Sequence, residues 1–210
     1  MDGANAVKYI LAHNIDGAIV ECGVDGGAFE YIWIKELQKN NVSRDIYLYD
    51  TFGGLTEPGV YDYTSDAAVL YKMNASTVHD IWKSKQLPNN VNAWCYTPLG
   101  KVQEYLNSTG YPPTKLHYIV GDVMQTLQNP SNIPEKIAIL RLDTDWYESS
   151  KCELQILYKN VVKGGVIIFD DYYHWDGQRR ATDDFFTASG IVPNMVNIGN
   201  GKTAAMIKTE

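Results

Sequence analysis

The stretch "GAIVECGVDGGAFEYIWIKELQKNNVSRDIYLYD", residues 17–50, decides the fold. Its first part, "GAIVECG" (17–23), is a short β-branched apolar run ending in glycine, which is typical of a buried strand. The segment 26–41 has helical spacing, with four apolar side chains on one face: Phe29, Ile32, Trp33 and Leu37. "DIYLYD" (45–50) predicts the next strand. Strand, helix and strand within about thirty residues predict a βαβ unit, hence parallel pairing with a right-handed crossover.

Strands and helices continue to alternate toward the C-terminus. The patterns predict helices over 97–110, 149–163 and 177–190, strands over 115–122, 136–143 and 164–171, and a closing antiparallel pair within 192–208. Ser149 is a plausible N-cap of the second of these helices, and Gly164 lies just past its end. The predicted fold is therefore a mostly parallel α/β sheet with helices on both faces.

The region between residues 53 and 98 is less regular. The residues over 53–65 are rich in Gly, Pro and polar types, which indicates a mobile loop able to close over a ligand. The segment 67–85 has the composition of one or two helices.

Bulk composition bounds the function. A chain of 210 residues is most simply one domain, 1–210, and its net charge of −7 argues against a general nucleic-acid binder. The three cysteines form no CxxC pair, so we expect reduced thiols and a cytoplasmic protein. Neither a signal peptide nor an apolar run long enough for a membrane span is evident.

Acidic residues recur where the predicted strands end. In parallel sheets the carboxyl ends of the strands form the edge where ligands bind, so these residues predict an acidic rim at one site. They are Glu21, Asp50, Asp122, Asp143, Asp170 and Asp171.

The glycine loop "ECGVDGG" (21–27) does not have the GxGxxG spacing of a dinucleotide site. Glu21 would repel a pyrophosphate but attract a cationic sulfonium, so the loop fits S-adenosylmethionine better than NAD. An ordinary strand-to-helix turn remains an equal alternative for the loop alone. Asp50 improves the case, because an acid at the end of the second strand commonly accepts both ribose hydroxyls. Asp122 would either accept from the adenine amino group or cap the next helix.

A second cluster is formed by Asp143, Asp170 and Asp171. If their strands are neighbours, three like charges converge and repel one another unless a cation neutralises them or they take up protons. Oxygen ligands from a few carboxylates favour Mg²⁺ as that cation. Solvation of a strand end and capping of a helix are the alternative for Asp170 and Asp171. Asp145 and Glu148 are expected to serve the start of the next helix, where negative charge favours the helix dipole.

Tyr172 and His174 follow the paired aspartates and are candidates for lining a substrate pocket. A lone histidine is more often a partly buried surface residue than a catalytic one. No other histidine belongs to a convincing constellation of residues.

The chain resembles the macrocin O-methyltransferase (TylF-type) family. The matching stretches run in order from about residue 17 to 187, and the most specific pair is "RLDTDWYES" with "GGVIIFDDY". The resemblance implies a Rossmann-like class I methyltransferase fold, S-adenosylmethionine and usually Mg²⁺, with sugar hydroxyls of antibiotics as common substrates. It also implies cofactor contacts from Glu21, Gly23 and Asp50, and a homodimer. The neighbouring loop positions Val24, Gly27 and Thr51 are further candidates for cofactor contacts.

The sequence therefore predicts a Mg²⁺-dependent O-methyltransferase acting on a small hydroxyl compound. Asp143 is the candidate base, assisted by the metal, because Mg²⁺ orients a hydroxyl acceptor and lowers its pKa. An NAD-dependent oxidoreductase and a non-catalytic nucleoside- or sugar-binding module are the alternatives. The first predicts a GxGxxG loop, and the second needs no converging carboxylates.

Overall fold

The order of strands in the main sheet is β5-β2-β1-β6-β7-β9-β8 in the computed structural model, which describes residues 3–65, 72–199 and 201–210. The strands in these ranges are β1 Ala18–Cys22, β2 Ile46–Asp50, β3 Gln86–Leu87, β4 Val91–Asn92, β5 Leu116–Val120, β6 Ile137–Leu142, β7 Val161–Phe169, β8 Val196–Ile198 and β9 Thr203–Ile207. The α-helices in the same ranges are α1 Gly3–Ala12, α2 Ala28–Lys39, α3 Ala75–Ser84, α4 Leu99–Asn107, α5 Val123–Thr126, α6 Tyr147–Leu157 and α7 Asp176–Ser189.

The pairing of the strands confirms the predicted sheet. From β5 to β7 all neighbours are parallel, whereas β9 runs antiparallel to β7 and β8 antiparallel to β9. The short strands β3 and β4 form a separate hairpin between the second strand and α4. The carboxyl ends of β1, β2, β5, β6 and β7 therefore lie along one edge of the sheet.

The core has two layers, one on each face of the sheet. Neighbouring residues of β1 point to opposite faces, so Ile19 joins one layer and Val20 the other. The first layer packs beneath α1, α2 and α4, and the second beneath α5, α6 and α7. Both central strands, β1 and β6, are buried along their whole length, which explains why each is apolar apart from one buried charged residue, Glu21 or Arg141.

The buried face of α2 differs from the prediction at one position. Ile32 is 41% exposed, so the prediction that it lies on the buried apolar face was wrong. Of the five buried positions, Glu30, Trp33, Ile34 and Leu37 follow the i, i+3, i+4, i+7 pattern, and Glu36 is the fifth. A glutamate at the first of these positions obscured the pattern in the sequence.

The predicted ends of α6 were also wrong. The helix begins at Tyr147 with Trp146 at the N-cap position, and no side chain caps it. Ser149 lies inside the first turn, where its hydroxyl donates to the carbonyl oxygen of Trp146 over 3.1 Å. Gly164 lies within β7, because that strand starts at Val161 rather than after the glycines.

Two further elements complete the description. The N-terminal helix α1, which the sequence patterns did not reveal, buries Ala6, Val7 and Ile10 against the first core layer. Of the segment predicted as one or two helices, Ala75–Ser84 forms α3, while residues 67–71 lie outside the described part. No helix in the described ranges is long and apolar enough to cross a membrane.

Candidate active site

A cavity of about 380 Å³ opens along the carboxyl edge of the sheet. Every predicted functional strand end from β1 to β7 contributes to its wall. These contributions include Gly23, Asp50, Asp122, Asp143 and Asp171. The site therefore lies where the topology of a parallel sheet predicts it.

The glycine loop turns sharply across the end of β6. Gly23 has a φ of 88°, and its amide donates to the carbonyl oxygen of Tyr49 over 2.8 Å. A Cβ atom at this position would overlap the carbonyl oxygen of Asp143. Gly27, at the N-cap of α2, has a φ of 80°. Glycine is therefore required at Gly23 both by conformation and by the close approach of another backbone.

Asp50 ties the glycine loop to the loop after β2. Its carboxylate accepts the amides of Val24 over 2.7 Å, Asp25 over 3.1 Å and Phe52 over 2.6 Å. Burial raises the pKa of Asp50, and the three amide donors oppose that rise. The neighbouring Thr51 also lines the cavity and donates to the carbonyl oxygen of Gly54. Both residues are in place to contact a ligand.

Glu21 lies beneath the loop rather than in the cavity wall. Its carboxylate is 1% exposed and accepts a hydrogen bond from Arg141. Burial, followed by the charge of Glu30, raises its pKa well above the ordinary value. Val24 and Gly27 are likewise not among the lining residues and shape the loop from behind. The structure thus brings Gly23 to the cavity, but not these three.

Asp122 forms the helix cap that was one of its two predicted alternatives. Its Oδ1 atom accepts the amide of Met124 over 2.8 Å and so caps α5. The residue also lines the cavity beside Gly121 and Val123.

Three aspartates converge beside the end of β6. One carboxylate oxygen from each of Asp143, Asp145 and Asp171 lies within 4.8 Å of the other two. Burial raises the pKa of Asp143 and of Asp145 well above the ordinary value. The charge of Arg141 opposes the rise at Asp143, and neighbouring aspartates add to the rise at both. Crowded carboxylate oxygens of this kind suit a hard divalent cation, which would relieve their repulsion.

The membership of this cluster differs from the sequence prediction. Asp145 is 8% exposed, has a φ of 66° and precedes α6, so it faces the other acids rather than capping the helix. Asp170 instead directs its Oδ1 atom to the Nη2 atom of Arg141 over 2.7 Å. The spacing of Asp143 and Asp145, two residues apart, was the available signal for Asp145.

Sequence analysis missed Arg141, which is buried at the centre of these charges. Its Nη1 atom donates to Glu21 and, over 2.7 Å, to Asp143. Its guanidinium also lies 3.7 Å from the ring centroid of Phe29. Burial lowers the pKa of Arg141, but Asp143, Glu21 and Asp170 raise it above its ordinary value overall. The arginine therefore links the glycine loop to the acidic cluster through one cation.

The two residues predicted to line a substrate pocket, Tyr172 and His174, lie in different places. His174 lines the cavity, and burial lowers its pKa while the charge of Asp171 opposes that shift. Tyr172 packs against the second core layer, and its hydroxyl donates to Asp183 over 2.7 Å. The structure brings His174, but not Tyr172, to the cavity.

Three tryptophans form an aromatic wall that the sequence did not reveal. The rings of Trp94, Trp146 and Trp175 meet edge to face with centroids 5.0 to 6.2 Å apart. Trp94 and Trp175 line the cavity, and the indole of Trp146 donates to the carbonyl oxygen of Thr56 over 2.9 Å. The wall is an apolar surface beside the acidic cluster.

The loop over 53–65 is tied to the starts of α6 and α7. The carboxylate of Asp62 accepts the amide of Gly59 over 2.6 Å and that of Tyr147 over 2.8 Å. Ser65 binds the carboxylate of Asp176 through both its amide and its hydroxyl. The loop that contributes Gly54, Leu55 and Thr56 to the cavity is thus held by these anchors.

Asp62 predicts a pH effect on stability. Burial raises its pKa from 3.8 to about 6, so the native protein takes up a proton before the unfolded chain does. The contribution of protonated Asp62 to the free energy of unfolding is fully present below pH 3.8 and is lost as the pH rises through about 6. We expect the unfolding free energy of the wild type to fall relative to that of Asp62→Asn over that interval. Denaturant unfolding at pH 4 to 8 measures it, with the exposed Glu135→Gln as a control; a constant difference would contradict the assignment.

The family model described as macrocin-O-methyltransferase (TylF) matches residues 2–204. The chain belongs to this family. A curated relative named 8-demethyl-8-(2,3-dimethoxy-alpha-L-rhamnosyl)-tetracenomycin-C 4'-O-methyltransferase, from Streptomyces olivaceus, is 27% identical over 186 residues. The demethyldecarbamoylnovobiocin O-methyltransferase of Streptomyces niveus is 24% identical over 193 residues.

These alignments cover most of this chain but less of the relatives. The alignment with the Streptomyces olivaceus enzyme covers 88% of this chain and 64% of that relative. The alignment with the Streptomyces niveus enzyme covers 91% of this chain and 66% of that relative. Among solved structures, the O-methyltransferase NovP superposes with a TM-score of 0.79 at 23% identity, covering 99% of this chain and 78% of NovP. This likeness confirms the Rossmann-like class I methyltransferase fold.

Proposed function

We propose that this chain is a Mg²⁺-dependent O-methyltransferase. It would move the methyl group of S-adenosylmethionine to a hydroxyl of a small metabolite, a sugar or vicinal diol of a glycosylated natural product. The observation that carries the proposal is the convergence of Asp143, Asp145 and Asp171 in a cavity that Asp50 and the glycine loop also line. In this proposal residues 1–210 form one methyltransferase domain.

The names of the relatives support the acceptor class. One relative is named for methylation of a rhamnosyl-tetracenomycin and another for a novobiocin precursor. The shared family supports the same type of reaction for this chain. The two tryptophans of the aromatic wall that line the cavity, Trp94 and Trp175, support an acceptor with an apolar ring face, because such faces pack well on indoles.

The cofactor would lie along the wall formed by the ends of β1, β2 and β5. Asp50 would accept the ribose hydroxyls, with the Thr51 side chain adjacent. Gly23 would allow the backbone to approach the methionine portion closely. Asp122 would accept from the adenine amino group while continuing to cap α5.

Asp143, Asp145 and Asp171 would hold the cation. Their donor set fits Mg²⁺ because all the ligands are carboxylate oxygens, one of them from the nearly buried Asp145. Asp170 is a fourth candidate ligand, because Arg141 is bound to only its Oδ1 atom. When bound, Mg²⁺ supplies Lewis acidity that lowers the pKa of a hydroxyl and orients it.

Asp143 would accept the proton of the acceptor hydroxyl. Its Oδ2 atom is fixed by the Nη1 atom of Arg141, so the carboxylate has one defined orientation at the end of β6. General base catalysis requires this kind of fixed placement within hydrogen-bond reach of the substrate. The wall of tryptophans would exclude water from the transfer.

A calorimetric titration tests the proposal at the level of ligands. The protein is titrated with S-adenosylmethionine and, separately, with NAD, each with and without Mg²⁺. We expect binding of S-adenosylmethionine and no binding of NAD, with a separate heat for Mg²⁺ itself. Binding of NAD alone would favour an oxidoreductase, and absence of any Mg²⁺ binding would overturn the metal-dependent mechanism.

A further inference from the structure

Glu153 is a buried acid directly behind the cavity wall. It lies on α6, is 0% exposed, and its Oε1 atom is 2.8 Å from the hydroxyl oxygen of Thr144. That hydroxyl oxygen is also 2.9 Å from the hydroxyl oxygen of Ser149. Thr144 and Ser149 both line the cavity. The Oε2 atom of Glu153 is buried and has no hydrogen-bond partner among the described residues.

The protonation state of Glu153 decides in which direction the hydroxyl of Thr144 donates. The hydroxyl of Ser149 donates to the carbonyl oxygen of Trp146 over 3.1 Å. If Glu153 is ionised, Thr144 donates to it, and neither hydroxyl retains a proton for a ligand. If Glu153 is protonated, it donates to Thr144 instead. The Thr144 proton then turns away from Glu153, either to the Ser149 hydroxyl oxygen at 2.9 Å or to an acceptor in the cavity.

The surroundings of Glu153 favour its protonated form at neutral pH. Burial raises its pKa to about 8, although the hydrogen bond from Thr144 opposes the rise. The titratable groups coupled to it are Asp122 ahead of α5, Cys22 on β1 and Cys152 on its own helix. Asp122 adds to the rise, and burial keeps both thiols protonated, so no cation among these groups favours the carboxylate.

We propose that Glu153 is a positioning residue which, when protonated, makes the Thr144 hydroxyl a hydrogen-bond donor to the nucleoside part of the cofactor. The inference rests on the proposed function, because it takes S-adenosylmethionine as the ligand. Thr144 and Ser149 share the cavity with Asp122 and Val123, where the adenine is expected. Adenine ring nitrogens and ribose oxygens accept hydrogen bonds, so a bound nucleoside offers the Thr144 proton an acceptor that competes with the Ser149 oxygen.

The test uses 5′-methylthioadenosine, which contains the nucleoside but no titrating amino group. Its affinity is measured by calorimetry from pH 6.5 to 9.5 for the wild type, Glu153→Gln, Thr144→Val and Thr144→Ser. We expect the dissociation constant of the wild type to rise roughly 3- to 10-fold as Glu153 ionises, which corresponds to the loss of one hydrogen bond. Thr144→Ser keeps the hydroxyl and should retain this profile.

The other two variants should lose the pH dependence in opposite ways. Glu153→Gln keeps a permanent N–H donor toward Thr144, so its affinity should stay at the level of the wild type at low pH. Thr144→Val has no hydroxyl and should bind weakly at every pH. Glu148→Gln, an exposed residue on the same helix, is the matched control and should titrate as the wild type does. A purely structural role of Glu153 would not produce a flat, tight profile.

Three outcomes would overturn the inference. They are a wild-type affinity that does not change with pH, a Glu153→Gln profile that follows the wild type, and a Thr144→Val variant that binds as tightly as the wild type. If Glu153→Gln does not fold, the comparison of Thr144→Val with Thr144→Ser still decides. Failure of the wild type to bind the nucleoside at any pH would instead overturn the proposed function, and this inference with it.

Discussion

Replacing Asp143 with asparagine should reduce methyl transfer by roughly 1,000-fold while leaving the affinity for S-adenosylmethionine within about threefold. The substitution removes the proton acceptor and one charge from the cation cluster, but keeps the size of the side chain. The asparagine oxygen can still accept from Arg141, whose Nη1 atom lies 2.7 Å from Asp143 in the wild type. Backbone contacts of the glycine loop are untouched, so cofactor binding should persist.

Turnover with labelled S-adenosylmethionine and calorimetric cofactor affinity measure the two halves of this prediction. Glu148→Gln is the matched control, because it removes an exposed acid five residues away without touching the cluster. Near-wild-type turnover of Asp143→Asn would eliminate Asp143 as the base. A parallel loss of cofactor affinity would instead indicate that the substitution disturbs the loop.

The second large effect concerns the backbone of the glycine loop. Gly23→Ala should lower the free energy of unfolding by about 2 to 5 kcal/mol, combining the strain of a left-handed alanine with an overpacked contact. Gly23 has a φ of 88°, and its added Cβ would overlap the carbonyl oxygen of Asp143. Relief of that overlap requires β1 and β6 to separate where both strands are buried.

Gly26→Ala is the control in the same loop. An added Cβ there meets only the hydroxyl oxygen of Thr97, at 3.9 Å, so the change should stay within about 0.5 kcal/mol. Urea unfolding of the two variants at one pH gives the comparison. Equal stability of the two would contradict the account of a tight crossing between the glycine loop and the end of β6.

The sheet was predictable because its signals are local. "GAIVECG" and "KIAILRLD" are predominantly apolar runs, each with one charged residue inside the strand, and both become central strands buried on two faces. The boundaries of α6 were not predictable, because its first turn contains no capping side chain and Ser149 resembles a cap. The prediction that Ile32 lies on the buried face of α2 was wrong for a related reason, since the buried Glu30 occupies a position that an apolar residue would normally fill.

The acidic cluster was predictable only in part. Asp143 follows β6 and Asp171 follows β7, so both lie at the carboxyl edge of the sheet, and the structure brings them together. The cluster contains Asp145 instead of the predicted Asp170, because Asp145 has a positive φ and Asp170 forms a salt bridge with Arg141. Neither feature leaves a periodic signal in the sequence. The aromatic wall joins Trp94 to Trp175 across a long stretch of chain, so only tertiary structure reveals it.

The dependence of methyl transfer on a divalent cation tests the central claim most directly. The protein is treated with a chelator, dialysed, and incubated with labelled S-adenosylmethionine and a panel of glycosides and vicinal diols, before and after Mg²⁺ is restored. The proposed function predicts transfer of label to a sugar hydroxyl that disappears with the metal and returns with it. Transfer that continues undiminished in the presence of the chelator would contradict it.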